Sequence, residues 1–236
     1  MTSSQKVAVV TGGSRGIGFE ICHQLGLMGY HVVFTSRTAA LGEKALSDLH
    51  HFGIHADYFT ADAGNEADCK VFADWLATIT SRVDLLVNNA GVFLDTQDHA
   101  PLLECGTDRL LDTFSTNLFG AVYMTRLLVP LLEKSSDGQI INVSSMLGQL
   151  DTMHSGFPAY RLSKLALNGT TKIFAEELAS HNIRINSICP GWCRTELGSQ
   201  EAPKSAAEGA SEIVWLATDK SKVTGKFFNN RSVVDW

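Results

Sequence analysis

Tyr160 and Lys164 stand four residues apart in the stretch Ala159-Tyr-Arg-Leu-Ser-Lys-Leu-Ala-Leu-Asn168. On a helix that spacing puts both side chains on one face, so a phenol and an ammonium can enter the same pocket. A free tyrosine holds its proton up to pH ~10 and is a poor acid or base near neutrality. A neighbouring cation favours the phenolate, lowers that pKa and brings it within reach of general acid–base chemistry. Taken alone, the pair equally describes a surface helix with a lysine lying along it. The surrounding chain decides between the two.

The elements that would carry the pair alternate between strand and helix. Val7–Val10 is a short apolar run with Gly12-Gly13 close behind, and a helical pattern covers about Ile17 to Leu27 and stops at Gly29. His31–Thr35 reads as a strand, Ala39–His51 as a helix, His55–Thr60 as a strand, Glu66–Ile79 as a helix and Val83–Val87 as a fourth strand. Gln139–Val143 and Ile183–Ile188 are later strands, each preceded by a long helix. A last helix runs over about Ser205–Ala217, and a terminal strand lies near Lys226–Phe228. Alternation of this kind predicts an α/β fold with a parallel sheet and helices on both faces, closed by right-handed crossovers into a doubly wound order. The expectation is one Rossmann-type domain over residues 1–236, with a sheet of about seven strands. Cofactor binding falls mainly in 1–120 and catalysis and substrate binding mainly in 139–205.

Between the first strand and first helix lies Thr11-Gly-Gly-Ser-Arg-Gly-Ile-Gly18. Gly12, Gly16 and Gly18 permit a tight turn and let a pyrophosphate approach the backbone, with Ser14 and Ile17 in the same loop. The helix N-terminus adds N–H donors and positive potential. The second strand ends at Ser36-Arg37 with no acid, where an NAD site usually places one for the ribose hydroxyls. Arg37, with Arg15 able to join it, offers a forked donor for a 2′-phosphate, which points to NADP.

The composition fits this reading. Of 236 residues, 44% are hydrophobic and 19% charged, enough apolar material for a sizeable core. The net charge is −6 and no basic run occurs, which argues against nucleic acid and anionic membrane as partners. No charged-then-apolar leader opens the chain, and no apolar run approaches the ~18 residues of a membrane helix. Cys22, Cys69, Cys105, Cys189 and Cys193 are odd in number and form no Cys-x-x-Cys, so reduced thiols, no metal and a cytoplasmic setting are expected.

In their order along the chain, Thr11-Gly-x-x-x-Gly-x-Gly18, Asn88-Asn-Ala-Gly91, Asn117, Ser144-Ser145, Tyr160-x-x-x-Lys164 and Pro190-Gly191 resemble the short-chain dehydrogenase/reductase family. Cys189-Pro-Gly-Trp-Cys-Arg-Thr195 and Gly225-Lys-Phe-Phe…Asp-Trp236 resemble its carbonyl-reductase branch. The resemblance implies NADPH-dependent reduction of aldehydes or ketones, with Tyr160 as general acid. It implies that Lys164 lowers the phenol's pKa and binds the nicotinamide ribose, that Ser145 holds the substrate oxygen, and that Asn117 interrupts its helix and holds a water leading to Lys164. It further places Asp62 at the adenine, Asn89 and Gly91 along the adenosine, and Pro190, Gly191 and Thr195 at the nicotinamide or phosphates. Met146, Leu147, Leu150, Phe157 and Trp192 are candidates for the wall around a small hydrophobic carbonyl, and Leu197–Pro203 for a lid.

Two other readings share these residues: reduction of 3-oxoacyl groups on a carrier protein, and an idle NADP-binding signalling protein. Ser145 and Tyr160 are only 15 positions apart, whereas some monomeric carbonyl reductases carry a long insertion there. Leu162, Ala166, Gly169 and Ile173 form an apolar stripe opposite the Tyr160–Lys164 face, so a homodimer or homotetramer is expected.

Overall fold

The computed structural model describes residues 5–96 and 101–236. Residues 1–4, expected to lead straight into the first strand, lie outside the described residues, as do 97–100.

The chain runs β1 (Val7–Val10), α1 (Gly16–Leu27), β2 (His31–Ser36), α2 (Ala39–His51), β3 (Ala56–Thr60), α3 (Glu66–Ile79) and β4 (Leu85–Asn88). It continues with α4 (Thr107–Phe114), α5 (Gly120–Leu132), β5 (Gly138–Val143), α6 (Pro158–Glu177), β6 (Ile183–Cys189), β7 (Cys193–Arg194) and β8 (Lys204–Ser205). It ends with α7 (Ala206–Thr218), β9 (Phe227–Asn229) and β10 (Ser232–Val234).

Eight strands form the main sheet in the order β10-β9-β6-β5-β4-β1-β2-β3. All pairs are parallel except β9–β10. The pleat sends alternate residues to opposite faces. Ala8 and Val10 join Ile21, Leu25, Leu49 and Ile213 in a core under α1, α2 and α7. Val7 and Val9 join Phe72, Leu76, Leu128 and Leu132 in a second core under α3, α5 and α6. Strands buried on both faces explain why they read as unbroken apolar runs.

After β3 the chain crosses back over β1 to begin β4. The crevice at the carboxyl ends of β1 and β4 is therefore the switch point of the sheet, the place where such folds bind ligands.

The sheet has one strand more than expected. Asn230 and Arg231, at φ 47° and 61°, form a two-residue turn that folds β10 back on β9. Turns with both central residues left-handed normally announce themselves by glycine, and here neither position has one. The pairing of β7 with β8 is also unannounced, being two residues long on each side.

Candidate active site

A cavity of about 1410 Å³ opens at the switch point and is lined by the glycine loop, the ends of β2, β4, β5 and β6, and the start of α6. That is larger than the ~300–1,000 Å³ of a typical small-molecule site and suits a dinucleotide with a second small ligand. Gly12, Ser14, Arg15, Gly16, Ile17 and Gly18 line one end; Ser145, Met146, Leu147, Tyr160 and Lys164 line the other. Arg37, Asp62, Asn89, Gly91, Pro190, Gly191, Trp192 and Thr195 also face it.

The loop after β1 cannot carry side chains at its glycines. Gly12 and Gly16 sit at φ 65° and 55°, and a Cβ on Gly18 would lie 2.2 Å from the Gly12 carbonyl oxygen. The result is a cradle of bare backbone at the N-terminus of α1, suited to a pyrophosphate. Asn89 secures this loop. Its Nδ2 donates to Thr11 O at 2.9 Å and Gly12 O at 3.2 Å, and its N–H donates to Thr11 Oγ1 at 3.0 Å. Its side chain is thus a brace for the cradle as well as part of the wall, a role its place in the sequence does not reveal. Asp62 is held in a turn, its Oδ1 accepting from Gly64 N at 2.9 Å.

Arg15 differs from expectation. It pairs with Glu196 across the mouth of the cavity that it lines together with Arg37. Arg37 is exposed at the end of β2 and makes no ion pair among the described residues. One cation therefore remains uncommitted at the adenosine end.

At the catalytic end, α6 starts at Pro158, and Phe157 before it adopts φ 55°. Asp95, buried, accepts the Tyr160 N–H at 2.8 Å and anchors the first turn. Ser145 lies beside the Tyr160 phenol and favours its ionised form. Ser144, by contrast, donates to Asn168 Oδ1 at 2.7 Å inside the protein, so of the adjacent serines only Ser145 is directed at the phenol. Lys164 Nζ donates to Val143 O at 2.8 Å and lies 5.6 Å from the centre of the Tyr160 ring.

The phenol's acidity runs against expectation. Burial pushes Tyr160 up, with the Cys189 thiol acting in the same direction and the Ser145 hydrogen bond opposing them. Lys164, itself buried, is pushed down to about 8 and turned toward a carbonyl. Desolvation disfavours the phenolate, and the phenol is held in its protonated form. That is the form a proton donor needs.

Asn117 lies outside the cavity wall, one layer behind. It is buried in a widened π-turn over Ser115–Phe119 between α4 and α5. Its Oδ1 accepts from Val92 N at 2.8 Å, and its Nδ2 donates to Val92 O at 2.9 Å and Ser163 Oγ at 3.0 Å. The helix interruption is present. The side chain's polar atoms tie the segment after β4 to α6.

The apolar wall differs in detail too. Leu150 is 61% exposed and is not part of it. Phe93 is part of it and was not foreseen: its ring stacks on Tyr160 at 4.2 Å and 19°, and Phe157 meets it edge-on at 5.1 Å. Its place just after Asn88-Asn-Ala-Gly91 was the available signal. Leu197 and Lys204 line the cavity as well. The segment expected to form a lid has anchors at both ends. Trp192 Nε1 donates to Gly198 O, and Arg194 Nη1 donates to Ala202 O and Pro203 O at 2.8 and 2.9 Å.

Comparison with known proteins agrees with this architecture. The short chain dehydrogenase family profile matches residues 6–206, and the chain belongs to that family of oxidoreductases. It is 30% identical to carbonyl reductase (NADPH) 1 of Bos taurus over 284 aligned residues, covering all of both chains. It is 28% identical to a (+)-neomenthol dehydrogenase of Capsicum annuum, over 98% of each. Among solved structures, a putative short chain dehydrogenase of Escherichia coli CFT073 complexed with NADPH superposes with a TM-score of 0.87 at 28% identity, covering 96% of this chain and 97% of that one. No helix among the described residues is long and apolar enough to cross a membrane.

Proposed function

We propose that the protein is an NADPH-dependent reductase of hydrophobic aldehydes and ketones, working in the cytoplasm. The observation that carries this reading is the meeting, at one end of a single cavity, of a protonated phenol, a serine and a lysine beside it. At the other end of the same cavity lies a bare glycine cradle.

Gly12, Gly16 and Gly18 would hold the pyrophosphate, Arg37 the 2′-phosphate, and Lys164 the nicotinamide ribose, with Pro190, Gly191 and Thr195 beyond. When bound, NADPH supplies hydride chemistry toward a carbonyl carbon. This chain does the rest. Ser145 donates a hydrogen bond to the carbonyl oxygen as negative charge grows on it, and Tyr160 donates the proton. Phe93, stacked on the phenol, and Phe157 keep water from that side. Both the bovine relative's name and the bound NADPH of the E. coli structure support the choice of cofactor and reaction. A panel of aromatic and aliphatic carbonyls with NADPH tests the reading. Absence of NADPH oxidation across the panel at micromolar protein would reject it, whereas preference for an acetoacetyl thioester would favour the carrier-protein reading.

Cofactor preference follows from Arg37. The unmodified protein is expected to show higher kcat/KM with NADPH than with NADH, and Arg37→Asp to move the preference toward NADH. Equal kcat/KM for both cofactors in the unmodified protein would refute this role.

We also propose a homodimer or homotetramer built on α6. Gly169 has no atom within 4 Å of where a Cβ would stand, and Ile173 is 61% exposed. Trp236, which stacks on Phe227 and lies 5.4 Å from Lys172 Nζ, sits at one flank of the helix and leaves that stripe open. Light scattering after gel filtration should give a multiple of 25.6 kDa. It should give one chain's mass for Gly169→Arg.

A further inference from the structure

We infer that Lys204 forms an anion-binding subsite at the catalytic end of the cavity, and that the favoured substrates are carbonyl compounds bearing a carboxylate or similar anionic group away from the reacting carbon. This deepens the proposed carbonyl reduction and rests on it.

The charged groups around the cavity are mostly committed. Arg15 pairs with Glu196. Arg194 Nη1 is spent on two main-chain carbonyls. Lys164 Nζ donates to Val143 O and stands where the proposed function places the nicotinamide ribose. Among the described residues two cavity cations have neither a carboxylate nor a main-chain carbonyl partner. Arg37 is one, at the adenosine end. Lys204 is the other, beside Gly191.

Lys204 is not a loosely tethered surface lysine. It begins β8, which pairs with β7 through the register Cys193–Lys204. Its stem lies over Gly191, where a Cβ would meet Lys204 Cδ at 3.0 Å and Nζ at 3.2 Å. The ammonium donates to Asn230 Oδ1 at 3.1 Å. Asn230 is presented by the left-handed turn between β9 and β10, a backbone conformation that non-glycine residues seldom adopt. Three chain segments thus converge to hold one ammonium in place, and the partner they give it is a neutral amide.

No carboxylate forms an ion pair with it among the described residues, and Glu208 acts on it only from beyond ion-pair distance. Burial pushes the Cys189 and Cys193 thiols up, so both remain uncharged. The Glu208 carboxylate is taken by Ser205, whose N–H and Oγ–H donate to it at 2.7 and 2.8 Å. Glu201 lines the same cavity but is exposed and makes no ion pair with Lys204. A fixed ammonium with donors to spare, in the same cavity as Phe93, Phe157, Met146 and Leu147, suits a ligand apolar near its carbonyl and anionic further out. The same chemistry would fit the pyrophosphate of the cofactor, and the experiment separates the two sources.

A homologous series of ω-oxo carboxylates and their methyl esters is assayed with NADPH. Binding of the matching saturated carboxylates and esters to NADP⁺-loaded protein is measured by calorimetry. At least one carboxylate should exceed its ester in kcat/KM and in affinity by about 10-fold or more, the size of a charge-assisted hydrogen bond. Lys204→Met should abolish that preference, Lys204→Arg should retain most of it, and ester turnover and NADPH affinity should change less than about 2-fold. Esters preferred throughout, or a carboxylate preference that survives Lys204→Met, would overturn the proposal. A Lys204→Met protein that binds NADPH weakly and loses acids and esters alike would assign the ammonium to the cofactor and also overturn it. If no carbonyl compound is reduced, the reductase reading fails, and the calorimetric preference alone decides whether the subsite exists.

Discussion

Replacing Tyr160 by phenylalanine is expected to slow carbonyl reduction by about 10²–10⁴-fold while NADPH binding stays within about 3-fold of the unmodified protein. Phenylalanine retains the ring that stacks on Phe93 at 4.2 Å, so the wall is preserved. Only the hydroxyl leaves, and with it the proton donor. Lys164 keeps its bond to Val143 O and remains available to a ribose. The pH profile adds a second signature. Reduction needs the phenol protonated, so activity is present below its pKa and lost as pH rises through it. Burial raises that pKa above the usual ~10, and the alkaline fall in kcat/KM should therefore lie beyond the ordinary tyrosine range. In Tyr160→Phe that limb should vanish. Near-normal turnover by the variant, measured by NADPH oxidation at saturating carbonyl, would remove Tyr160 from the mechanism.

The frame of the molecule was legible because its signals are local. The bounds of α2 and α3 follow from their apolar spacing and stop residues, and Asn65 before α3 caps it by accepting from Ala67 N at 2.9 Å. β1, β2 and β4 declare themselves as apolar runs because both faces are covered. The catalytic cluster was legible from Tyr160-x-x-x-Lys164 and from the family resemblance of the ordered motifs. What escaped is what depends on distant parts of the chain. Arg15 meets Glu196 across 181 positions, and no local pattern sets that pairing. Asn89 braces Thr11 and Gly12 from a different strand. The direction of the Tyr160 shift turned on burial, which a helix-face argument does not contain. Lys204 looks like any surface lysine until β7, Gly191 and Asn230 close around it.

Gly18→Ala should weaken NADPH binding by about 10–100-fold, corresponding to the ~1–3 kcal/mol that overpacking costs. The added methyl would stand 2.2 Å from Gly12 O and 2.5 Å from Asn89 Nδ2. Both neighbours resist displacement: the first is backbone of the cradle, and the second holds Thr11 O and Gly12 O. To admit the methyl, either the Gly12 peptide turns or the Asn89 brace breaks, and each opens the surface on which a pyrophosphate would rest. The melting temperature should fall with the affinity, by roughly 2–4 °C per kcal/mol for a chain of this size. Gly169→Ala is the control. That site lies within α6, has no atom within 4 Å of the new methyl, and is remote from the cradle. Alanine there should leave NADPH affinity unchanged. If Gly18→Ala bound NADPH as tightly as the unmodified protein in a fluorescence titration, the glycine loop would not be the pyrophosphate cradle, and the cofactor would have to enter the cavity in another orientation.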